Sequence, residues 1–245
     1  MVAGAALAAA LTFGSGAGIA GADGTQTPVG APTIRLGVTE FGDTRVPNTS
    51  PAQEYFRLPA VRAGDLVTVA ARTPPGAGRR WACLAADVDG FNWQQEGCNL
   101  ANAVIFRESG SRIQFRASRA TNNAFLRVYT TYDYGAFEVT VERIQRQVGL
   151  ALSAPGSLQP NGAVSVSARL TNGQSVPDGH RVQLAARVKG RTHTYVSTTR
   201  GGRATFQLNL PGDAVGSTAT LTAQSPETST YQAASTIPAN IRIVK

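Results

Sequence analysis

The sequence predicts an all-β protein made of two tandem β-sandwich domains. Short runs of alternating apolar and polar residues dominate the chain, and turn residues separate them. Beyond the N-terminal apolar stretch, no segment keeps the 3.6-residue period of an amphipathic helix. The chain has 245 residues, which exceeds the roughly 100 residues of a single immunoglobulin-sized sandwich. The length fits one large all-β domain or two domains of about 100 residues each, and the grouping of the strands favours two.

The first half of the chain contains eight short runs with strand character. They cover residues 33–39, 54–58, 66–72, 80–85, 103–107, 112–117, 124–129 and 137–144. In the last run, Phe137, Val139, Val141 and Arg143 share one face, because side chains alternate along a strand. Arg143 breaks this apolar stripe, so we expect the end of the strand to leave the core. Eight strands in about 110 residues predict a jelly-roll-like sandwich for residues 33–146.

The second half contains seven such runs, at residues 149–153, 163–170, 180–189, 192–199, 204–210, 218–224 and 237–244. Asn-Gly, Asp-Gly and Gly-Gly pairs between them supply turns that need positive φ. Seven strands predict an immunoglobulin-like sandwich for residues 147–245. The domain boundary is expected near residues 145–148, and so short a linker predicts limited relative motion.

The N-terminal 22 residues predict export. An apolar stretch is followed by small residues ending at Ala20-Gly21-Ala22, the pattern of a signal peptide and its cleavage site. The stretch is too short and too rich in glycine for a stable membrane span. No Lys or Arg precedes Arg35, so we expect that the true start lies upstream or that the chain was trimmed. Residues 23–32 are expected to form a disordered linker, and the mature protein to be secreted or at the cell surface.

The two cysteines, Cys83 and Cys98, also fit an oxidising compartment. A disulfide between them would close a loop of about 15 residues and contribute roughly 3 kcal/mol to stability. Zinc binding is the competing interpretation, but two cysteines without a nearby histidine do not complete a tetrahedral ligand set.

Several segments carry resemblances to known families. In the first half these are Glu54-Tyr-Phe-Arg-Leu58, Ala63-Gly-Asp-Leu-Val-Thr-Val69, Phe125-Leu-Arg-Val-Tyr129 and Gly135-Ala-Phe-Glu-Val-Thr-Val141. Residues from about 50 to 144 thereby resemble the bacterial pre-peptidase C-terminal domain, a jelly-roll-like accessory of secreted peptidases. In the second half, Val176-Pro-Asp-Gly179 and Thr198-Thr-Arg-Gly-Gly-Arg-Ala-Thr-Phe206 resemble bacterial immunoglobulin-like repeats. That resemblance implies a spacer role.

Aromatic residues mark a candidate ligand-binding region. Phe91 and Trp93 stand beside two glutamines between the cysteines, a composition typical of carbohydrate-binding loops. Tyr132 and Tyr134 lie in the turn before the last strand of the first domain. The alternative is that the rings cover the end of the sandwich.

Two carboxylates beside a turn glycine, Asp87 and Asp89 before Gly90, form a candidate Ca²⁺ site. Calcium takes six to eight oxygen ligands, to which Glu96 and Asn99 could contribute. The alternative is an ordinary Asp-x-Asp-Gly turn without a cation.

The net charge of +8 has two interpretations, the arginine-rich codon usage of a GC-rich genome and attraction to an anionic partner. Arg187, Lys189 and Arg191 crowd one predicted hairpin tip and are the candidate anion-binding residues. Arg200 and Arg203 crowd the next tip, at the opposite end of the sandwich. This division leaves solvated tips as the alternative. No basic run is interleaved with aromatic residues, so no specific nucleic-acid partner is expected.

The chain lacks the patterns of common catalytic sites. Its two histidines, His180 and His193, have no metalloprotease spacing, and we interpret both as polar surface side chains. The sequence thus predicts a non-enzymatic binding or spacer protein, with polysaccharide or cell-wall polymer as the candidate partner. One alternative is an accessory region of a secreted peptidase or glycoside hydrolase acting with a partner chain. Another is a carboxylate-based glycosidase using Asp87 and Glu96.

The aromatic loop gives a direct test. If Phe91 and Trp93 bind a sugar chain, Trp93→Ala removes the ring that stacks on it and should abolish retention on insoluble polysaccharide. Retention equal to that of the wild type, with an unchanged circular dichroism spectrum, would refute the assignment.

Overall fold

The computed structural model describes residues 30–43, 52–78, 80–86, 104–106, 110–117, 124–130 and 135–245. In these residues the regular elements are β-strands and one short 3-10 turn, Gly212–Ala214. The same residues form no helix long and apolar enough to cross a membrane.

In its described residues, the first domain has eight strands. They are β1 (Thr39–Asp43), β2 (Ala52–Arg57), β3 (Leu66–Arg72), β4 (Arg80–Ala86), β5 (Val104–Phe106), β6 (Ser111–Arg116), β7 (Ala124–Thr130) and β8 (Ala136–Gln145). Two four-stranded antiparallel sheets have the orders β1-β8-β3-β6 and β2-β7-β4-β5. Apart from β4 and β5, consecutive strands change sheet. This is the topology of an eight-stranded jelly roll.

Alternating side chains form the core between these two sheets. Phe56 and Leu126 project from one sheet onto Val69 and Phe137 of the other, and all four are nearly inaccessible to solvent. The rings of Phe56 and Phe137 meet edge to face, with centroids 6.1 Å apart, an arrangement that aromatic pairs prefer.

Nine strands build the second domain. They are β9 (Val148–Ser153), β10 (Ser157–Leu158), β11 (Ala163–Leu170), β12 (Arg181–Val188), β13 (Arg191–Thr198), β14 (Arg203–Gln207), β15 (Thr218–Ser225), β16 (Ala234–Ser235) and β17 (Ala239–Ile243). The large sheet has the order β10-β17-β15-β12-β13, with β16 on β15, and the small sheet has the order β14-β11-β9. Inward-facing Val166 and Phe206 of the small sheet share one core with Leu184 and Leu221 of the large sheet.

The predicted fold class is confirmed: the chain is all-β, with a jelly-roll-like sandwich followed by an immunoglobulin-like one. Two strands of the second domain, β10 and β16, were not predicted. Each has only two residues, which is too few to produce an alternating pattern.

The start of the first domain differs from the prediction. The predicted strand at residues 33–39 is largely irregular, because Gly37 has φ of +75° and a turn follows Arg35. Strand β1 begins only at Thr39. The end of the predicted disordered linker is also ordered: Ala31 is buried with Tyr55 and Phe125. The carbonyl of Pro32 accepts a hydrogen bond from the Arg57 amide at 2.8 Å.

The end of β8 departs from the core less than predicted. The pairing of β3 with β8 shifts register between Thr68 and Val69, and such a bulge changes the face on which later residues lie. Arg143 therefore emerges as predicted, but Ile144 packs on the core. Gln145 is 1% exposed because the second domain covers it.

Candidate functional site

The two domains meet in a joint formed by three parts of the chain. Only residues 146 and 147 separate β8 from β9. The turn at residues 62–65 contributes from the first domain. From the second domain comes the docking loop, which we define as residues 226–233 between β15 and β16. The joint is therefore built from segments distant in sequence.

The docking loop has a shape fixed within its own domain. The Thr228 hydroxyl oxygen accepts hydrogen bonds from the amides of Thr230 at 3.2 Å and Tyr231 at 2.9 Å. The Thr228 amide donates to the Tyr231 carbonyl at 2.9 Å. The Tyr231 ring lies edge-on to the His180 ring, with centroids 5.0 Å apart. The loop thus presents its remaining carbonyls in a set geometry.

The backbone of Arg146 pairs with this loop as a short strand would. The Arg146 amide donates to the Thr230 carbonyl at 2.7 Å, and the Arg146 carbonyl accepts from the Gln232 amide at 3.0 Å. These bonds form a parallel bridge between Arg146 and Tyr231. The connecting segment is therefore held by backbone bonds, which side-chain substitutions leave in place.

The side chain of Arg146 reaches the opposite way, into the first domain. Its Nη1 donates to Asp65 Oδ2 at 2.5 Å, and the Asp65 side chain is fully buried. Asp65 Oδ2 also accepts from the Arg62 amide at 2.8 Å. Asp65 Oδ1 has no partner in the described part of the chain. Because an uncompensated buried carboxylate is costly, Arg146 is the principal compensation for this charge.

Two glutamines link the domains from opposite sides. Gln145 Nε2 donates to the Thr228 carbonyl at 2.6 Å and to Glu227 Oε1 at 3.0 Å. Gln232 Nε2 donates to the carbonyls of Gly64 at 2.8 Å and Gln145 at 3.0 Å. Each glutamine satisfies a carbonyl of the other domain, so the buried polar groups of the joint depend on docking.

Charged and polar pairs surround this centre. Arg143 Nη2 lies 2.9 Å from Glu227 Oε1, and Arg62 Nη1 donates to Gln174 Oε1 at 3.1 Å. The hydrogen bond from Gln145, followed by the charge of Arg143, lowers the pKa of Glu227. Glu227 therefore stays ionised over a wider range of acid pH than an isolated glutamate.

The backbone conformation at the joint requires glycine at position 64. Its φ of +84° is a conformation that other residues rarely adopt. A Cβ there would also meet the end of the Gln147 side chain, which is exposed and can move aside.

His180 differs from the prediction of a surface side chain. It is 8% exposed, because Tyr231 and Ser225 cover it, and its Nε2 lies 2.6 Å from Ser225 Oγ. Burial lowers the pKa of His180. Ser225 is itself 2% exposed, so the pair is an enclosed structural hydrogen bond. His193 lies on β13 opposite Ala186 and is partly buried.

The three predicted anion-binding residues do not converge. Arg187 lies on the outer face of the large sheet. Arg191 pairs in register with buried Val188, so it lies on the opposite face of that sheet. Lys189 occupies the turn between them and donates to the carbonyl of Asp213 at 2.5 Å. The structure thus divides this set among two faces and a turn.

The other candidate residues lie mostly outside the described part of the chain. These are Cys98, Phe91, Trp93, Tyr132, Tyr134, Asp87 and Asp89, while Cys83 belongs to β4. The disulfide, the aromatic site and the calcium site therefore stay predictions. In the described residues, no group of three or more His, Cys, Asp and Glu side chains could hold a metal ion.

No family model and no curated protein matches this sequence. Among solved structures, one similar to this chain is the adhesin domain of Epf from Streptococcus pyogenes. The TM-score is 0.34 at 9% identity, with 84% of this chain and 76% of that chain covered. Another is the Endo-D glycoside hydrolase domain from Streptococcus pneumoniae R6, with a TM-score of 0.25 at 10% identity. There the match covers 83% of this chain and 33% of that chain, so this chain spans about a third of its length.

The environment of His180 predicts a pH-dependent stability. Because its pKa is lowered in the folded state, the unfolded chain takes up a proton first as pH falls. The contribution of His180 to the free energy of unfolding is complete above its pKa in the unfolded chain, about 6.5. This contribution decreases as pH falls toward the pKa of His180 in the folded protein. Between pH 7.5 and pH 5, we expect the free energy of unfolding from denaturant titrations to decrease less in His180→Gln than in the wild type. His193→Gln is the control. An equal pH dependence in wild type and His180→Gln would contradict the interpretation.

Proposed function

We propose that the protein is a secreted or cell-surface, non-catalytic spacer that holds a binding surface at a fixed distance and orientation. The observation that carries this proposal is the joint at Arg146, whose backbone pairs with the second domain while its guanidinium binds buried Asp65 of the first. A protein that orients a ligand site needs such a fixed connection.

The chemistry of the joint favours rigidity over hinge motion. Flexible interdomain linkers are typically rich in Gly and Ser and make few contacts with the domains. Here the linker is two residues long. Gln145, which precedes it, and Gln232 of the docking loop each donate a hydrogen bond to a backbone carbonyl across the domain boundary. Separating the domains would expose these groups and leave the Asp65 carboxylate without its cation.

Composition supports the extracellular, non-catalytic part of the proposal. Charged residues make up only 16% of the chain, below the roughly 25% typical of soluble domains. The N-terminal pattern is that of a signal peptide. Of the two histidines, the buried His180 pairs with enclosed Ser225. The resemblance to the pre-peptidase C-terminal domain favours one second candidate, an accessory region acting with a secreted hydrolase chain.

Arg146→Ala tests the joint. Removing the guanidinium leaves Asp65 buried without a cation, which should lower the free energy of unfolding by about 3 kcal/mol. That is the lower end for a buried pair, because Arg146 retains partial exposure. We expect calorimetry to show one cooperative transition for the wild type and two separated transitions for the variant.

Arg62→Ala is the matched control, since its guanidinium makes an exposed interdomain hydrogen bond. A change within about 0.5 kcal/mol is expected for it. A single transition in Arg146→Ala at the temperature of the wild type would contradict the rigid-spacer proposal.

A further inference from the structure

We propose that the outer face of the large sheet binds a linear acidic polysaccharide; this inference rests on the proposed binding role. The outer face is defined here as the outward-facing side chains of β12, β13, β15 and β17. Register aligns them in rows: Arg187 lies beside Thr220, and Thr220 lies beside Asn240. Described residues leave this face uncovered, since Arg181, Arg187 and Arg242 are all exposed.

The outer face is basic and has no acid of its own. Its arginines are Arg181, Arg187 and Arg242, and the structure gives none of them a hydrogen-bond or ion-pair partner in residues 135–245. The carboxylate side chains of the second domain lie elsewhere. Asp178 accepts from the Gly201 amide, and Asp213 and Glu227 pair with Lys189 and Arg143. Three unneutralised guanidinium groups therefore favour an anionic ligand.

The spacing of the arginines indicates an extended ligand. Arg187 on β12 and Arg242 on β17 are two strands apart, and Arg242 is two residues further along its strand than the residue level with Arg187. Their Cα atoms therefore lie roughly 12 Å apart. Arg181 is at the other end of β12, about 20 Å from Arg187. A compact anion such as free phosphate would reach one guanidinium at a time, whereas a chain bearing repeated carboxylates would reach all three.

The groups between the arginines distinguish sugar from nucleic acid. Thr194 and Thr222 present hydroxyl groups that can donate to and accept from sugar hydroxyls. The Thr220 hydroxyl donates to Asn240 Oδ1 at 2.8 Å and can only accept from a sugar. The aromatic Tyr195 points to the core side of its strand, so the outer face offers no ring on which a base could stack. Stacking is a main source of affinity for single-stranded nucleic acids, and its absence counts against a single strand as the ligand of the outer face.

A shallow groove extends the outer face at one end. It has a volume of about 440 Å³ and is lined in part by Gln183, Gln224 and Ser235. The amides of Gln183 and Gln224 are side by side in the sheet register. The groove therefore continues the row of polar groups beyond Thr222. A bound polysaccharide chain could lie along its edge.

Binding of the full chain to polygalacturonate tests the inference, with dextran and double-stranded DNA as comparison ligands. We expect the wild type to bind polygalacturonate, to bind dextran at least tenfold more weakly, and to lose affinity as salt rises. The double variant Arg187→Gln, Arg242→Gln should lose at least about tenfold in affinity, since each arginine makes a charge-assisted contact. Thr222→Val, which keeps shape and charge, should lose roughly threefold.

The matched control is Arg169→Gln, Arg203→Gln, which removes the same charge from the outer side of the small sheet, on the other side of the domain, and should retain affinity. Equal losses in both double variants, no binding by the wild type at low salt, or tighter binding to DNA than to polygalacturonate would each overturn the inference. Arg146→Ala should bind as the wild type does, because it leaves the outer face intact. Loss of the fixed joint and loss of the binding face therefore give different results in these two experiments.

Discussion

Arg146 interacts with both domains at once, through different parts of the same residue. Its backbone continues the docking loop of the second domain, and its guanidinium compensates a carboxylate buried in the first. Loss of either interaction would expose a polar group or leave it buried without a partner, and an unpaired buried polar group lowers the stability of the folded state. Gln145, Gln232 and Gly64 are arranged around this residue, so the relative orientation of the two sandwiches depends on it.

The joint and the outer face belong to one continuous region of the second domain. The docking loop leaves β15 at the end of the outer face and returns as β16, and the groove is lined by residues of both. Within the domain, His180 anchors the loop through Tyr231. A rigid joint therefore fixes the direction in which the outer face points relative to the first domain.

Local patterns were sufficient to predict most of the strands and the two sandwich types, because period-two alternation, as in Val164 and Val166, is a property of neighbouring residues. The joint could not be predicted in this way. Asp65 and Arg146 are 81 positions apart, and the docking loop has no apolar period. Burial of His180 likewise depends on Tyr231. Alternation alone places Arg181 and Arg187 on one face, but adding Arg242 requires the register of β15 with β17.

Residual dipolar couplings of the backbone amides show whether Arg146 fixes the relative orientation of the two domains, because they report the orientation of each domain relative to a common frame. If Arg146 fixes the joint, couplings from the described residues of the first domain and from residues 148–245 should fit a single alignment tensor of one magnitude. Two tensors of clearly different magnitude would show that the domains reorient independently, and would contradict a joint fixed by Arg146.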